Sequence, residues 1–133
     1  MAIRVLIIED HEAAREALAA LLQAIGGFEV MGKAATETDA TEWLHGEHGS
    51  WDLAILDLLI DGGSGFNLIR RATERGVKGT AVIYSAYVTP VVAKRCLDLG
   101  AHAAFAKTET EQLVSYLEQL KTQGPRGAAK GST

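Results

Sequence analysis

The chain has 133 residues, of which 47% are hydrophobic and 23% charged, a balance typical of one soluble globular domain with a sizeable core. The formal net charge of −4 excludes a broadly basic surface for nucleic acid, and a single cysteine, Cys96, excludes an internal disulfide and favours a reducing cytoplasm. No apolar run approaches the roughly 18 residues of a membrane span, and the N-terminus lacks the pattern of a secretory signal.

Five short apolar runs predict the strands of the fold. The first, third and fourth runs are rich in Ile, Val and Leu with little polar alternation, which is typical of strands that are covered on both faces. The runs occupy residues 3–8, 28–34, 52–56, 79–85 and 103–106.

Helical patterns separate the strands, and each places apolar residues on one stripe of the segment. Capping residues precede three of these segments: Thr36 before the second, Thr89 with Pro90 at the fourth, and Thr108 at the fifth. Glycines follow the first, third and fourth segments and predict their ends. The predicted helices occupy residues 12–25, 37–47, 65–75, 89–99 and 109–121.

The strict alternation of five strands with five helices predicts an α/β fold, a (βα)5 parallel sheet with helices on both faces. Residues 1–121 form the predicted domain, and the glycine-rich residues 122–133 are predicted to be a disordered tail or a truncated linker. In such a sheet ligands bind outside the carboxyl ends of the strands, so the residues at those ends indicate function.

Three carboxylates, one hydroxyl and one ammonium stand at these strand ends. Glu9 and Asp10 follow the first strand, Asp57 follows the third, Ser85 ends the fourth and Lys107 follows the fifth. Clustered carboxylates repel one another unless a cation joins them, and carboxylate oxygens suit Mg²⁺. Asp57 can then act as a nucleophile towards a phosphoryl group whose oxygens the metal, the ammonium and the hydroxyl bind.

The stretch DLLIDGGSG, residues 57–65, has two interpretations. Its glycines are compatible with a loop that cradles a nucleotide phosphate, whereas Asp57 is compatible with a covalent phosphoacceptor. A nucleotide- or flavin-binding module of this class needs its phosphate loop after the first strand, but residues 9–17, EDHEAAREA, are acidic and lack glycine. The acidic loop favours Asp57 as the reactive group and the glycines as turn residues.

This ordered set of motifs resembles the response-regulator receiver domain of two-component signalling over residues 3–121. The matching motifs are IIED at 7–10, LDLLIDGGSG at 56–65, YSAY at 84–87, LGA at 99–101 and Lys107. The resemblance implies a doubly wound, flavodoxin-like sheet in the strand order 2-1-3-4-5, an order known for one receiver protein. It also implies a phosphoprotein with Asp57 as phosphoacceptor, Glu9, Asp10, Asp57 and the Leu59 backbone carbonyl as Mg²⁺ ligands, and Ser85 and Lys107 as phosphate-binding and switch residues.

Two departures from the family pattern lie in loops near the site. Asp61 stands four residues after the phosphoacceptor, where the family has proline, and adds a carboxylate there. Thr108 stands where the family has a proline that often follows a cis bond. Because a cis bond before a non-proline residue costs roughly 2.5–4 kcal/mol, we predict either a trans bond between Lys107 and Thr108 or a strained loop.

Two further departures concern the switch. Ala104 occupies the position of the family's switch aromatic, and Phe105 beside it is predicted to point to the other face of the strand, so Tyr87 is the candidate movable ring. Leu59 lies two residues after the phosphoacceptor and has no polar group to orient an attacking water, which predicts a longer-lived phosphorylated state.

The resemblance also implies partners. A sensor histidine kinase or a phosphotransfer protein would donate the phosphoryl group, and a downstream protein or an output domain would receive the signal. The expected contact face is helix four, strand five and helix five, with a homodimer as one outcome and no direct contact with nucleic acid or membrane. Residues 122–133 are too few for an output domain, so we expect either a stand-alone receiver or part of a longer regulator.

Two other functions stay open at this point. A degenerate receiver would act only as a constitutive interaction module, which the four departures favour and the intact set of five site residues opposes. A haloacid-dehalogenase-like phosphatase also has a strand that ends in a nucleophilic Asp, but it needs a second Asp where this chain has Leu59. Beyond its own phosphorylation and dephosphorylation, no enzymatic activity is expected.

Some remaining residues have simpler interpretations. His45 and His48 form only a weak candidate metal pair, and His11 adjoins the acidic pair without an evident role. Cys96 lies on an apolar helical stripe and is predicted to be a core residue.

Overall fold

The computed structural model describes residues 2–123 and contains the predicted parallel sheet. Five strands pair in the order β2-β1-β3-β4-β5, all parallel, so the predicted fold class and strand order are confirmed. The strands are β1 Ile3–Ile8, β2 Phe28–Ala34, β3 Leu53–Leu56, β4 Thr80–Ser85 and β5 Ala103–Ala106.

Five helices connect or follow the strands. All five begin within one residue of their predicted starts, and α2 ends three residues early because residues 45–48 form turns. The helices are α1 Glu12–Ile25, α2 Glu37–Leu44, α3 Gly65–Glu74, α4 Pro90–Leu99 and α5 Thr110–Gln123. Helix α5 passes the predicted domain end at residue 121, and the rest of the predicted tail lies outside the described residues.

The sheet separates two apolar cores. Alternate side chains of β1 enter opposite cores, because successive residues of a strand point to opposite faces. Leu6 and Ile8 pack with α2, α3 and α4, whereas Val5 and Ile7 pack with α1 and α5. The prediction of helices on both faces is therefore confirmed.

Cys96 belongs to the first of these cores and is 1% exposed, as predicted. Burial raises the pKa of its thiol, because an apolar surrounding disfavours the thiolate. No helix within the described part of the chain is long and apolar enough to cross a membrane.

A short hairpin between β3 and α3 was not predicted. Leu59–Ile60 pairs antiparallel with Gly63–Ser64, and we call this unit the 59–64 hairpin. Gly62 supplies the turn with a φ of +80°, a conformation that favours glycine. The glycines of this stretch thus serve the turn and the entry to α3, as the sequence indicated.

The start of α5 corrects one prediction. Thr108 does not cap this helix, which begins at Thr110 after Glu109. The Glu109 carboxylate accepts a hydrogen bond from the Ala106 amide at 2.8 Å, and the Glu109 amide donates to the Ala106 carbonyl at 2.8 Å. These two bonds fold residues 106–109 into a turn that places Thr108 ahead of the capping position.

Candidate functional site

Backbone pairing brings the predicted site residues to one edge of the sheet. The Asp57 amide donates to the Ile8 carbonyl at 2.9 Å, so Asp57 lies beside the start of the Glu9–Asp10 segment. At the other side, the Lys107 amide donates to the Ser85 carbonyl at 3.1 Å. Since all strands run in the same direction, the sheet delivers these residues to its carboxyl edge, where ligands bind in such folds.

The Lys107 ammonium links two of the carboxylates. Its Nζ lies 2.9 Å from Glu9 Oε1 and 4.0 Å from Asp57 Oδ2. It also lies 5.1 Å from the centre of the Tyr84 ring, within reach of a cation–π interaction. The Glu9 side chain is only 6% exposed, so this ammonium supplies the opposite charge that a buried carboxylate needs.

Asp10 provides an oxygen that is suited to a cation. Within residues 2–123, Asp10 Oδ1 is the one buried side-chain polar atom without a hydrogen-bond partner. His11 Nδ1 lies 3.1 Å from it, but that contact lacks hydrogen-bond geometry. The same ring nitrogen lies 3.3 Å from Glu9 Oε2, so Glu9, Asp10 and His11 form a group of possible ligands. A buried oxygen without a donor, beside other carboxylates, fits a hard cation such as Mg²⁺.

The Asp57 side chain is oriented by its own loop. Asp57 Oδ1 accepts a hydrogen bond from the Leu59 amide at 3.3 Å, and the side chain is 12% exposed. Asp57, Glu9, Lys107 and Tyr84 line a small cavity of about 10 Å³, which is close to the volume that one water needs. Asp57 does not belong to the group that Glu9, Asp10 and His11 form, and Lys107 contacts both Glu9 of that group and Asp57.

Ser85 and Tyr87 occupy different environments. Ser85 is fully buried at the end of β4, and its Oγ accepts a hydrogen bond from the Tyr87 amide at 3.3 Å. The Tyr87 side chain is 59% exposed, so it has room to move. The structure thus ties the backbone of the candidate switch ring to the candidate switch hydroxyl.

The four departures have distinct structural outcomes. No peptide bond within residues 2–123 is cis, so the Lys107–Thr108 bond is trans, one of the two predicted alternatives. Asp61 is exposed, and its amide donates to the Ala35 carbonyl at 3.3 Å, a bond that proline could not make. Leu59 is 51% exposed.

Alternation along β5 also agrees with the prediction. Ala104 packs against the core that contains α4, whereas Phe105 faces α1 and α5 and lies 5.7 Å from the Tyr116 ring. Burial raises the pKa of the Tyr116 hydroxyl, in keeping with this packed environment.

Several supporting residues escaped the sequence analysis. Arg15 NH1 donates to the Glu9 carbonyl at 2.9 Å, which secures the backbone of the acidic pair. Thr110 Oγ1 donates to the Lys107 carbonyl at 3.2 Å and lies 2.7 Å from the Tyr84 hydroxyl. Because the Thr110 hydroxyl has one proton, Tyr84 is the donor in the second bond. No periodicity encodes such contacts, although the polar Tyr84 within an apolar strand was a visible signal.

A second cluster of metal-binding residue types lies at α2. Asp39, Glu42 and His48 bring their ligand atoms within 4.8 Å of one another, and the His48 ring contacts the Trp43 ring at a 45° tilt with ring centres 4.5 Å apart. His45 does not join this group. Burial and the nearby Arg75 and Arg71 charges lower the pKa of His45, so it favours the neutral state.

Comparison with known proteins identifies the family. The family model of the response regulator receiver domain matches residues 5–118, and the chain belongs to this family. The response regulator protein VraR from Staphylococcus epidermidis is 29% identical over 108 residues, which cover 81% of this chain and 51% of VraR. The chain spans about half the length of the curated relatives it matches.

Solved structures show the same fold. The signal receiver domain of a DNA-binding response regulator from Colwellia psychrerythraea superimposes with a TM-score of 0.78 at 26% identity, covering 91% of this chain and 99% of that one. CheY from Borrelia burgdorferi, in a complex with CheX, BeF3 and Mg²⁺, gives 0.75 at 19% identity, with coverages of 86% and 89%. The protein is thus a receiver domain of two-component response regulators, a family that is in general not enzymatic and for which phosphorylation and Mg²⁺ are typical.

Proposed function

We propose that this receiver domain accepts a phosphoryl group on Asp57 with the help of Mg²⁺ and thereby changes its contacts with other proteins. The observation that carries the proposal is the Lys107 ammonium between Glu9 and Asp57 at the carboxyl edge of the sheet. An anionic phosphoryl group can approach a carboxylate only where cations offset the negative charge, and an ammonium beside that carboxylate is one such cation.

The metal would supply the rest of that positive charge. Glu9, Asp10, Asp57 and the backbone carbonyl of Leu59 offer the oxygens that would hold Mg²⁺, which also keeps several waters. The buried Asp10 Oδ1 without a hydrogen bond supports this assignment. When bound, the metal neutralises charge on the phosphoryl oxygens and orients them.

The transfer itself is a displacement at phosphorus. An Asp57 carboxylate oxygen forms a bond to phosphorus while the bond from phosphorus to the donor breaks, and the donor leaves with the bonding electron pair. A donor histidine takes up a proton as it leaves. Lys107 and the Ser85 hydroxyl would then bind phosphoryl oxygens, which requires Lys107 to move from Glu9 towards Asp57.

Phosphorylation with a small-molecule donor tests the proposal. We expect acetyl phosphate with Mg²⁺ to add one phosphoryl group, detected by intact mass, and we expect chelation of Mg²⁺ to prevent it. Asp57→Asn should not accept the group, whereas the matched control Asp61→Asn, an exposed acid in the same loop, should accept it. If Asp57→Asn were labelled at the wild-type rate, the assignment of the phosphoacceptor would be wrong.

The same experiment separates the proposal from a degenerate receiver. A degenerate module would show neither phosphorylation nor any effect of Mg²⁺ on its stability or spectra. Ligand binding to the folded state raises stability in proportion to the logarithm of the ligand concentration above its Kd. An unchanged unfolding midpoint across a Mg²⁺ titration, together with no labelling, would therefore support the degenerate module.

The proposed contact face is formed by α4, β5 and α5. Val91 and Leu97 of α4 are 80% and 49% exposed, and Tyr87 lies just before this helix. The expected occupant of this face is a protein partner, such as a downstream target or a second copy of the chain. Light scattering before and after phosphorylation tests the homodimer: we expect the mass to rise, and an unchanged mass would exclude a phosphorylation-dependent dimer.

A further inference from the structure

The 59–64 hairpin is fastened to the start of α2 by the side chain of Glu37. Glu37 Oε1 accepts a hydrogen bond from the Ser64 amide at 2.9 Å, and Glu37 Oε2 accepts one from Arg71 NH1 at 3.2 Å. The Glu37 side chain is 18% exposed, whereas that of Arg71 is 42% exposed. One carboxylate thus joins three segments that are distant in sequence: α2, the hairpin and α3.

The carboxylate fits closely against the hairpin. A Cβ atom on Gly63 would collide with the Glu37 carboxylate and with its Cβ, so only glycine leaves room for this contact. Hydrogen bonds that involve an ionised group are the stronger ones, and partial burial protects this bond from water. The contact is therefore specific in shape.

Backbone bonds make a second connection beside the first. The Asp61 amide donates to the Ala35 carbonyl at 3.3 Å, and the Glu37 amide donates to the Asp61 carbonyl at 3.1 Å. Thr36 and Asp61 form an isolated parallel bridge. The tip of the hairpin is thus held by the backbone of the β2–α2 loop, while its second strand is held by the Glu37 side chain.

The contacts continue from Glu37 to the proposed phosphoacceptor. Ser64, which donates to Glu37, pairs with Leu59 across the hairpin, and the Leu59 amide donates to Asp57 Oδ1 at 3.3 Å. Gly65, the next residue, donates its amide to the Leu58 carbonyl at 2.8 Å. The first and last steps are direct hydrogen bonds, and the step between Ser64 and Leu59 is their pairing across the hairpin.

We propose that Glu37 is a positioning residue for phosphorylation: by holding the Ser64 amide, it fixes the 59–64 hairpin so that Leu59 keeps the Asp57 carboxylate in place. This inference rests on the proposed role of Asp57. Glu37 does not touch the reacting atoms and acts only through Ser64 and Leu59. A mobile hairpin would leave the Leu59 amide and carbonyl free to turn away, and misplacement of a reacting group slows transfer steeply.

Amide hydrogen exchange on the metal-free protein tests the contact without any phosphorylation. We expect the Ser64 and Leu59 amides to exchange at least about tenfold faster in Glu37→Ala, because a hydrogen bond to a charged group contributes enough free energy for such a factor. Glu37→Gln keeps an acceptor oxygen for Ser64 and should exchange close to the wild-type rate. Glu37→Asp keeps the charge but is one methylene too short and should behave like Glu37→Ala.

The matched control is Glu74→Ala. Glu74 also pairs with an arginine, Arg70 at 3.3 Å, but it lies on the exposed side of α3 and, within residues 2–123, forms no hydrogen bond or ion pair with the hairpin. Its substitution should leave exchange at Ser64 and Leu59 unchanged. If Glu37→Ala fails to fold, Glu37→Asp and Glu37→Gln still test the contact. Both variants keep a polar side chain, but only glutamine is long enough to reach the Ser64 amide.

Phosphorylation by acetyl phosphate gives the functional readout. We expect the initial rate of phosphorylation to fall at least about tenfold in Glu37→Ala and Glu37→Asp, and to stay close to the wild-type rate in Glu37→Gln. The two slow variants should also need more Mg²⁺ to reach half of their maximal rate. Faster exchange with an unchanged rate and Mg²⁺ dependence would overturn the positioning role. Unchanged exchange in Glu37→Ala would overturn the contact itself, whereas wild-type protein that takes no phosphoryl group on Asp57 would overturn the proposed function and leave the exchange result standing.

Discussion

The replacement Gly65→Ala tests how closely α3 approaches the phosphoacceptor backbone. A Cβ on Gly65 would collide with the Asp57 carbonyl oxygen and would lie 3.1 Å from Leu58 Cα and 3.2 Å from the Asp57 carbonyl carbon. All three are backbone atoms, so no flexible side chain can move aside. The Gly65 amide also donates to the Leu58 carbonyl at 2.8 Å, which keeps the two segments together.

The magnitude follows from two opposing contributions. Forcing an extra methyl group into a packed site costs about 1–3 kcal/mol. Gly65 has no positive φ, so alanine can adopt its backbone and lowers the entropy of the unfolded chain, which stabilises by about 0.4–1 kcal/mol. The difference leaves a net destabilisation of about 1 kcal/mol. With a urea m-value of roughly 2 kcal/mol/M, the unfolding midpoint should fall by about 0.5 M.

Urea unfolding followed by tryptophan fluorescence measures this change. The control Asn67→Ala, an exposed site in the same helix, should change the free energy of unfolding by less than about 0.5 kcal/mol. We also expect Gly65→Ala to slow phosphorylation of Asp57, because the added methyl group would displace the Asp57 carbonyl. A Gly65→Ala protein as stable as the wild type would refute the close approach on which this reasoning depends.

Three further predictions concern the rest of the domain. Thr89→Ala removes the cap that accepts the Val92 amide at 3.2 Å, and should lower the free energy of unfolding by about 1 kcal/mol in a urea titration. The lowered pKa of His45 means that the unfolded chain binds more protons between that pKa and about 6.5, so stability should fall as the pH drops through this window. His45→Gln should flatten that slope, and an identical slope would contradict the assignment. The buried Cys96, whose thiol pKa is raised, should react with a thiol reagent at neutral pH only as fast as the domain opens, and its rate should rise sharply in denaturant.

Much of the fold could be predicted because the signals were local. Apolar runs predicted all five strands to within one residue, and Thr36 and Thr89 predicted two helix starts. In the structure, the hydroxyl of each threonine accepts a hydrogen bond from a backbone amide of its helix, that of Asp39 or Val92. The ends of those strands then supplied the candidate site, since parallel strands deliver their carboxyl ends to one edge.

The missed features depend on contacts between distant segments. Glu37 and Ser64 are 27 residues apart, and no period in the sequence relates them. The 59–64 hairpin has two-residue strands, too short to show alternation. The start of α5 is a local exception: the sequence TETE allowed two starts, and the hydrogen bond from the Ala106 amide to the Glu109 carboxylate, within one turn, accompanies the later one.

The ion pair between Lys107 and Glu9 has a consequence for the order of events at the site. Glu9, Asp10 and Asp57 carry three negative charges against the one positive charge of Lys107, an excess that a single divalent cation would neutralise. A cation that binds Glu9 would also release the ammonium from its 2.9 Å contact. If a divalent cation bound there, Glu9 and Asp10 would hold it, and Lys107 would then be free to pair with Asp57 before a phosphoryl group arrives.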